Sequence, residues 1–349
     1  VRGRADPVAE ETRLVTPLIS VIMPVYNARD TIGAAVESLI RQTFGNFEAI
    51  IVDDGSEDAG LEVLRPISSS DDRFRLISTS HRGIVKALNL AVAQARGPLL
   101  ARMDGDDICH PRRFELQVRF LEDNPDVSVA GSLVRSFPRS AVGAGFLRYE
   151  AWLNGLTTHD RMVRGLFVES PLAHPSVMMR RSDLLDLGMY KESGWPEDYD
   201  LWHRCHLRGY RFGKVQRYLL FWRCRRDRES QRNPRYSFQS FLRLKARYLS
   251  LGPLRERRSA VIWGAGRIGP GIARHLRSEG IEIRAFVDID PKKIGRTRYS
   301  APIIAPDHLG GLRGEFICVA VGAPGARGII RNWLRDKGYM EVRDYLCVA

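Results

Sequence analysis

Residues 98–107 read Pro98-Leu99-Leu100-Ala101-Arg102-Met103-Asp104-Gly105-Asp106-Asp107. The apolar run Pro98–Ala101 predicts a strand. Acids follow it at once, and a proline-started, helix-like segment opens at Pro111. Carboxylates this crowded repel one another, and each loses hydration on burial. Two readings stay open from these residues alone. A bound cation would neutralise the cluster, and hard oxygen ligands suit Mg²⁺ or Mn²⁺. Such an ion most often neutralises a phosphate or diphosphate leaving group. The other reading is a solvated acidic loop that caps the next helix.

Working outward, Leu18–Met23 is a buried-strand signal ended by Pro24, followed by the turn Val25-Tyr26-Asn27. Ile32, Val36, Leu39 and Ile40 have helical spacing, with Asp30 or Asn27 as the expected cap. Phe47–Val52 predicts a second strand, ending in Asp53-Asp54-Gly55-Ser56, and Phe74–Ile77 a third. Ile84, Leu88, Ala91 and Ala95 form a helix face that stops at Gly97. This alternation predicts an α/β fold with a parallel sheet, in which ligands sit at the carboxyl ends of the strands. Three such ends carry Pro24–Tyr26, Asp53–Asp54 and Asp104–Asp107. A nucleotide there would need an aspartate for a base imide or ribose hydroxyl, an aromatic such as Tyr26 to stack, and a cation such as Arg82 or Lys86 for a diphosphate. Each residue alone has a structural explanation, since Asp, Gly and Ser favour turns and Tyr26 suits a core. On three successive strand ends, the binding-site reading is favoured.

The segment Ile19–Ser132 resembles the nucleotide-binding half of family 2 inverting glycosyltransferases, which have the GT-A fold. The resemblance rests on Ser20–Asn27, Gln42-Thr43-Phe44, Ile51–Ser56, Ala87-Leu88-Asn89 and Ala101–Asp107 with Pro111 and Arg113-Phe114. It implies a nucleotide-sugar donor held by Pro24, Val25, Tyr26, Asp54, Arg82, Lys86, Asp104 and Asp106. It further implies that Asp54 contacts the base, and that Asp104 and Asp106 form a DxD-type element. Mn²⁺ or Mg²⁺ would be ligated by Asp106 directly, with Asp104 as ribose or metal partner and Asp107 supporting the turn.

Further on, Val127–Leu133 and His174–Met179 predict strands, and a helix is expected to start near Asp198 in Gly194-Trp195-Pro196-Glu197-Asp198. Acids at that end complement the helix dipole. An inverting sugar transfer also needs a carboxylate to take the acceptor proton. The resemblance implies Asp198 as that base and Glu197 as the acceptor-binding or orienting acid. His174 is either an acceptor or diphosphate contact or a structural histidine. Trp195 either stacks on a sugar or packs in the core. His203, Cys205 and His206 lack a second ligand pair and do not predict a metal site.

A basic run from Arg217 to Arg258 reads as a connector between two halves; it is dense at Arg217, Arg223, Arg225, Arg226, Arg228, Arg232 and Arg235. Its later part predicts an amphipathic helix packed between domains, with contact to a membrane surface as the lesser alternative. Ser259–Trp263 is then a strand, followed by Gly264-Ala265-Gly266-Arg267-Ile268-Gly269, a helix through Ile272 and Leu276, and a strand Ile281–Val287 ending at Asp288. Asp288 lies 19 positions after Gly269 (288 − 269), near the spacing of about 20 expected for a ribose-binding acid. Gly264, Gly266, Gly269 and Asp288 therefore outline a small C-terminal Rossmann-like domain. NAD(P) is the open alternative there, and a scaffold or regulatory module without cofactor is preferred. The whole order, with Trp152–Thr157 and Ile262–Arg267, is similar to beta-1,3-N-acetylglucosaminyltransferase-like proteins. That similarity implies a UDP-sugar such as UDP-N-acetylglucosamine and a glycan or glycolipid acceptor.

The chain of 349 residues suffices for two domains: an expected leader 1–17, a GT-A domain 18–235, a helical connector 236–258 and a Rossmann-like domain 259–349. With 44% hydrophobic and 27% charged residues it has a globular composition, and no apolar run is long enough to span a bilayer. Five cysteines without metal-type spacing suggest reduced thiols and a cytoplasmic setting, including the inner face of a membrane. The net charge of +13 invites an anionic partner, but no nucleic-acid motif accompanies it. Two competing functions remain. A sugar nucleotidyltransferase would carry a glycine- and arginine-rich loop where Pro24–Asn27 stands. A non-catalytic dinucleotide sensor would not need acids at all three expected places.

Overall fold

The computed structural model describes residues 16–225 and 233–349. The expected leader lies almost wholly outside the described residues, as do Arg226, Arg228 and Arg232. The first half of the N-terminal unit alternates as expected: β1 (Ile19–Val25), α1 (Arg29–Ile40), β2 (Phe47–Asp53), α2 (Gly60–Ser70), β3 (Phe74–Ser78), α3 (Ile84–Gln94) and β4 (Leu99–Arg102). β1 pairs in parallel with β2 and β4. Alternate residues of these strands feed two different apolar clusters, Ile22, Ile50 and Val52 on one face and Val21, Met23, Ala49 and Ile51 on the other. That is the period-two pattern of a sheet covered by helices on both sides, and it explains why the strands read as continuous apolar runs.

The chain continues through β5 (Ile108–Cys109), α4 (Arg113–Asp123), β6 (Val127–Phe137), α5 (Ala144–Gly155), α6 (His159–Gly165), β7 (Met178–Arg180), α7 (Arg181–Asp186), α8 (Glu197–Leu207) and β8 (Arg211–Arg223). The eight strands lie in the order β3-β2-β1-β4-β7-β6-β8-β5. β7 runs antiparallel to both β4 and β6, so the parallel nucleotide-fold half passes into a mixed half.

Three local expectations need correction. Neither Asn27 nor Asp30 caps α1, because Ala28 occupies the cap position. Asn27 instead takes a left-handed backbone (φ 48°), accepts the Glu57 N–H and donates its own N–H to Ser56 Oγ. Its polar groups tie the end of β1 to the loop after β2. His174–Met179 is not one strand: His174–Ser176 forms a 3-10 turn and only Met178–Arg180 pairs. Pro175 has no N–H to offer a central strand and suits the first turn of a helix. The basic run does not begin as a connector, since Arg217–Arg223 is the end of β8, paired in parallel with β6.

The C-terminal unit follows α9 (Phe238–Leu251) and comprises β9 (Ser259–Trp263), α10 (Gly269–Ser278), β10 (Glu282–Val287), β11 (Thr297–Arg298), β12 (Ala301–Ile304), β13 (Phe316–Val319), α11 (Ala326–Asp336) and β14 (Tyr345–Cys347). Its sheet order is β11-β12-β10-β9-β13-β14, parallel except for the short β11. α9 packs between the two units. Leu242, Leu244 and Leu249 share one apolar cluster with Tyr199 and Trp202 of α8 and with Ile262 and Ile272 beyond. The buried Lys245 Nζ donates to the carbonyls of Val168 (2.8 Å) and Val348 (3.1 Å), linking both units to the helix. Among the described residues no helix is long and apolar enough to cross a membrane.

Candidate active site

The carboxyl ends of β1, β2 and β4 open on a cavity of about 670 Å³. Pro24, Val25 and Tyr26 come from the end of β1, Asp54 from the end of β2, and Asp104 and Asp106 from the turn after β4. The three predicted strand ends therefore converge.

Asp54 is buried, and its carboxylate organises the next wall. Oδ1 accepts the Arg82 N–H and Oδ2 the Gly83 N–H, both at 2.8 Å, while His81 Nδ1 lies 2.9 Å from Oδ2. The His81 ring stacks on Tyr26 with centroids 4.2 Å apart. Tyr26 thus presents a half-exposed, pre-stacked aromatic platform rather than a core side chain. The Arg82 and Lys86 side chains are exposed and do not line the cavity; Gly83, Ile84 and Ala87 do. The cationic walls are instead Arg225 and Arg235, on either side of the undescribed residues 226–232.

Asp104, Asp106 and Asp107 bring one carboxylate oxygen each to within 4.8 Å of one another. Asp107 is fully buried, with Oδ1 accepting the Arg223 N–H of β8 at 2.8 Å, while Oδ2 has no hydrogen-bond partner among the described residues. Burial, and then the charges of Asp104 and Asp106, push its carboxyl well above the usual carboxylate range. A buried carboxylate oxygen with no donor, facing two further carboxylates, is an oxygen-donor set that fits a divalent cation. The third acid does more than support a turn: it grips β8 and joins the cluster.

The second acidic pair opens α8. Glu197 is buried: Tyr236 OH donates to its Oε2 at 2.9 Å, His174 Nδ1 stands 3.8 Å from Oε1, and Arg235 Nη1 lies 3.7 Å from Oε2. Burial raises its proton affinity. Asp198 is half-buried, with Oδ1 accepting the Tyr199 N–H, and burial followed by the charge of Glu197 pushes its carboxyl up to about 8. His174 shares a 2.9 Å hydrogen bond with Tyr190 OH, and burial, then the nearby Arg102, keeps it neutral. Trp195 has both ring edge and face engaged: Nε1 donates to Asp200 at 2.9 Å and the Arg243 guanidinium lies 5.1 Å from the ring.

Arg102, which sequence reasoning passed over, joins the two acidic groups. It is buried at the end of β4 and pairs with Asp104. Its charge also acts on Asp107, Glu197 and Asp198, opposing the rise that burial imposes on each. The available signal was a charged residue inside an otherwise apolar strand, immediately before the acids. His81 had no sequence signal. Arg225 and Arg235 were visible only as members of a basic run.

Comparison with known proteins follows the same outline. The model of the Glycosyl transferase family 2 matches residues 20–188. EpsE of Bacillus subtilis (strain 168) is 31% identical over 229 residues, covering 64% of this chain and 79% of its own length. An uncharacterized glycosyltransferase of Haemophilus influenzae is 32% identical over 192 residues, but this chain spans only 59% of it. Among solved structures, TarS 1-349 of S. aureus in complex with UDP-GlcNAc superposes with a TM-score of 0.55 at 19% identity, covering 74% of this chain and 71% of that one. At that identity the likeness concerns the fold.

Proposed function

Because this chain belongs to glycosyl transferase family 2, we propose that it is an inverting transferase moving a sugar from a nucleoside diphosphate to an acceptor hydroxyl. The single observation behind the assignment of residues is Arg102: one buried guanidinium acts on both the Asp104–Asp107 cluster and the Glu197–Asp198 pair. This shared cation supports assigning leaving-group chemistry and base chemistry to one site, although Glu197 and Asp198 stand outside the lining of the cavity of about 670 Å³.

In this reading the donor base stacks on Tyr26 and hydrogen-bonds near Asp54, and the diphosphate lies toward Asp104 and Asp106 with Arg225 and Arg235 beside it. Asp104, Asp106 and Asp107 would hold Mn²⁺ or Mg²⁺, which when bound neutralises charge on the diphosphate. Asp198 Oδ2 takes the proton of the acceptor hydroxyl. The acceptor oxygen forms a bond to the anomeric carbon, and the bonding pair to the diphosphate oxygen departs with the leaving group. A carboxylate of raised proton affinity suits that task. Glu197, fixed by Tyr236 and Arg235, orients the acceptor and tunes its neighbour. The TarS likeness, seen there with UDP-GlcNAc, supports a UDP-sugar as donor. The O-antigen biosynthesis glycosyltransferase WbnJ of Escherichia coli, 28% identical over 54% of this chain, supports a glycan acceptor.

The test is Asp198→Ala. Transfer is expected to fall by about 10³-fold or more while UDP still binds, because the base acts only on the acceptor. Near-wild-type transfer by the purified variant overturns the assignment.

A further inference from the structure

The C-terminal unit carries a second cavity, of about 690 Å³, that family 2 transfer leaves unused. It opens where β9 and β13 lie side by side at the centre of the sheet, the point at which strand order reverses. In open parallel sheets ligands sit at such points, outside the carboxyl ends of the strands. The volume is that of a small-molecule or cofactor site.

Its floor is the turn Gly264–Gly269 between β9 and α10. The fold itself requires two of the three glycines. Gly264 has φ +118°, and a Cβ on Gly269 would stand 1.8 Å from the Gly264 carbonyl oxygen. Gly266 is different: among the described residues a Cβ there meets nothing within 4 Å, and its φ is not positive. Nothing internal demands glycine at 266, whereas a ligand resting on the turn would.

The walls indicate what kind of ligand. On the β10 side stand Asp288, Ile289 and Lys293, and on the β13 side Val321, Ile329 and Trp333. Ile289 and Ile329 are 79% and 72% exposed, and both border the cavity. Asp288 accepts the Ala265 and Asp290 N–H groups and the Lys293 ammonium. A carboxylate has about four acceptor sites, so one remains for a hydroxyl. The apolar wall on the β13 side offers little to a polyhydroxylated sugar and much to a flat heterocycle.

We infer that this cavity binds a dinucleotide, with its diphosphate over Gly264–Gly269, one ribose at Asp288 and the second base against the Ile329–Trp333 wall. Among the described residues, that wall carries no ionisable side chain, so the second base meets packing there and no proton donor or acceptor side chain. The described residues that line this cavity are all different from those that line the N-terminal cavity.

Trp263 and Trp333 border the cavity, so a reduced nicotinamide bound there should take up tryptophan emission. The experiment titrates the full chain with NADH and with NADPH and follows the sensitised emission. Wild type and Asp106→Ala should both saturate with at least one of the two. Gly266→Asp, which sets a carboxylate against the diphosphate, and Ile289→Asp, at an exposed position, should each weaken that binding by about 100-fold or more. Absence of saturation with either probe up to about 1 mM in wild type overturns the inference. So does unchanged affinity in both cavity variants, or loss of binding in Asp106→Ala, which would place the probe in the other unit.

Discussion

Replacing Glu197 by Gln isolates the electrostatics of the proposed base. The amide keeps the shape of the side chain and can still accept from Tyr236 OH, now 2.9 Å from Oε2. What it removes is the negative charge next to Asp198, the second contributor after burial to a carboxyl pushed up to about 8. Two carboxylates about 6 Å apart at an effective dielectric of about 20 repel by about 3 kcal/mol, equivalent to about 2 pH units. The base works only when deprotonated, so the wild-type rate climbs as pH rises through the carboxyl's pKa. Lowering that pKa from about 8 toward about 6 would raise the base form at pH 6 from about 1% to about half. The assay is kcat/KM for transfer from pH 5.5 to 9.5, normalised to each enzyme's own alkaline plateau. The expected result is an acid limb shifted down by about 2 units, with a lower plateau because the weaker base accepts the proton less readily. An acid limb that does not move would refute the argument that the Glu197 charge tunes the titrating group.

Other perturbations follow from the same geometry. Asp54→Asn leaves two backbone N–H groups and a histidine facing one acceptor and one NH₂; donor KM should rise about 10-fold or more, read by initial rates at fixed acceptor. Mn²⁺ at 100 times its dissociation constant should stabilise wild type by about 2.7 kcal/mol, read as a rise in Tm, and Asp106→Ala should lose most of that rise. Lys245→Met tests the link between the units. Burial lowers this ammonium from 10.5 to about 8 in the fold, so the unfolded chain binds the extra proton between those values, and stability gains about 3 kcal/mol as pH rises from 8 to 10.5. Subtracting the variant's pH–stability curve from wild type's should reveal that rise; a flat difference would rule it out.

The parallel half of the sheet was legible because β1, β2 and β4 are short apolar runs that end in residues poorly suited to packing, and the glycine turn after β9 was legible for the same reason. β8 was not. Its sequence is punctuated by the exposed Arg217 and the half-buried Arg223, so Arg217–Arg223 looked like a solvated connector, whereas the neighbouring Leu219 and Leu220 are buried. In the site, Asp54, Asp104 and Asp106 announce themselves as acids at strand ends. Arg102, His81 and Arg235 do not, because their placement depends on partners that the chain brings back from other elements: His81 meets Asp54 and the Tyr26 ring, and Arg235 meets Glu197. The Arg235–Glu197 and Tyr236–Glu197 contacts, which bring the segment before α9 onto α8, are of that kind.

The most direct test of the central claim is the fate of the donor at the reacting carbon. The purified chain would be incubated with α-linked UDP-sugars, Mn²⁺ and an acceptor or, failing that, water, and the first-formed anomer read by NMR. The account predicts turnover of at least one donor, dependence on the divalent ion, and a β product. An α product, or turnover unaffected by chelation and by Asp106→Ala, would contradict it.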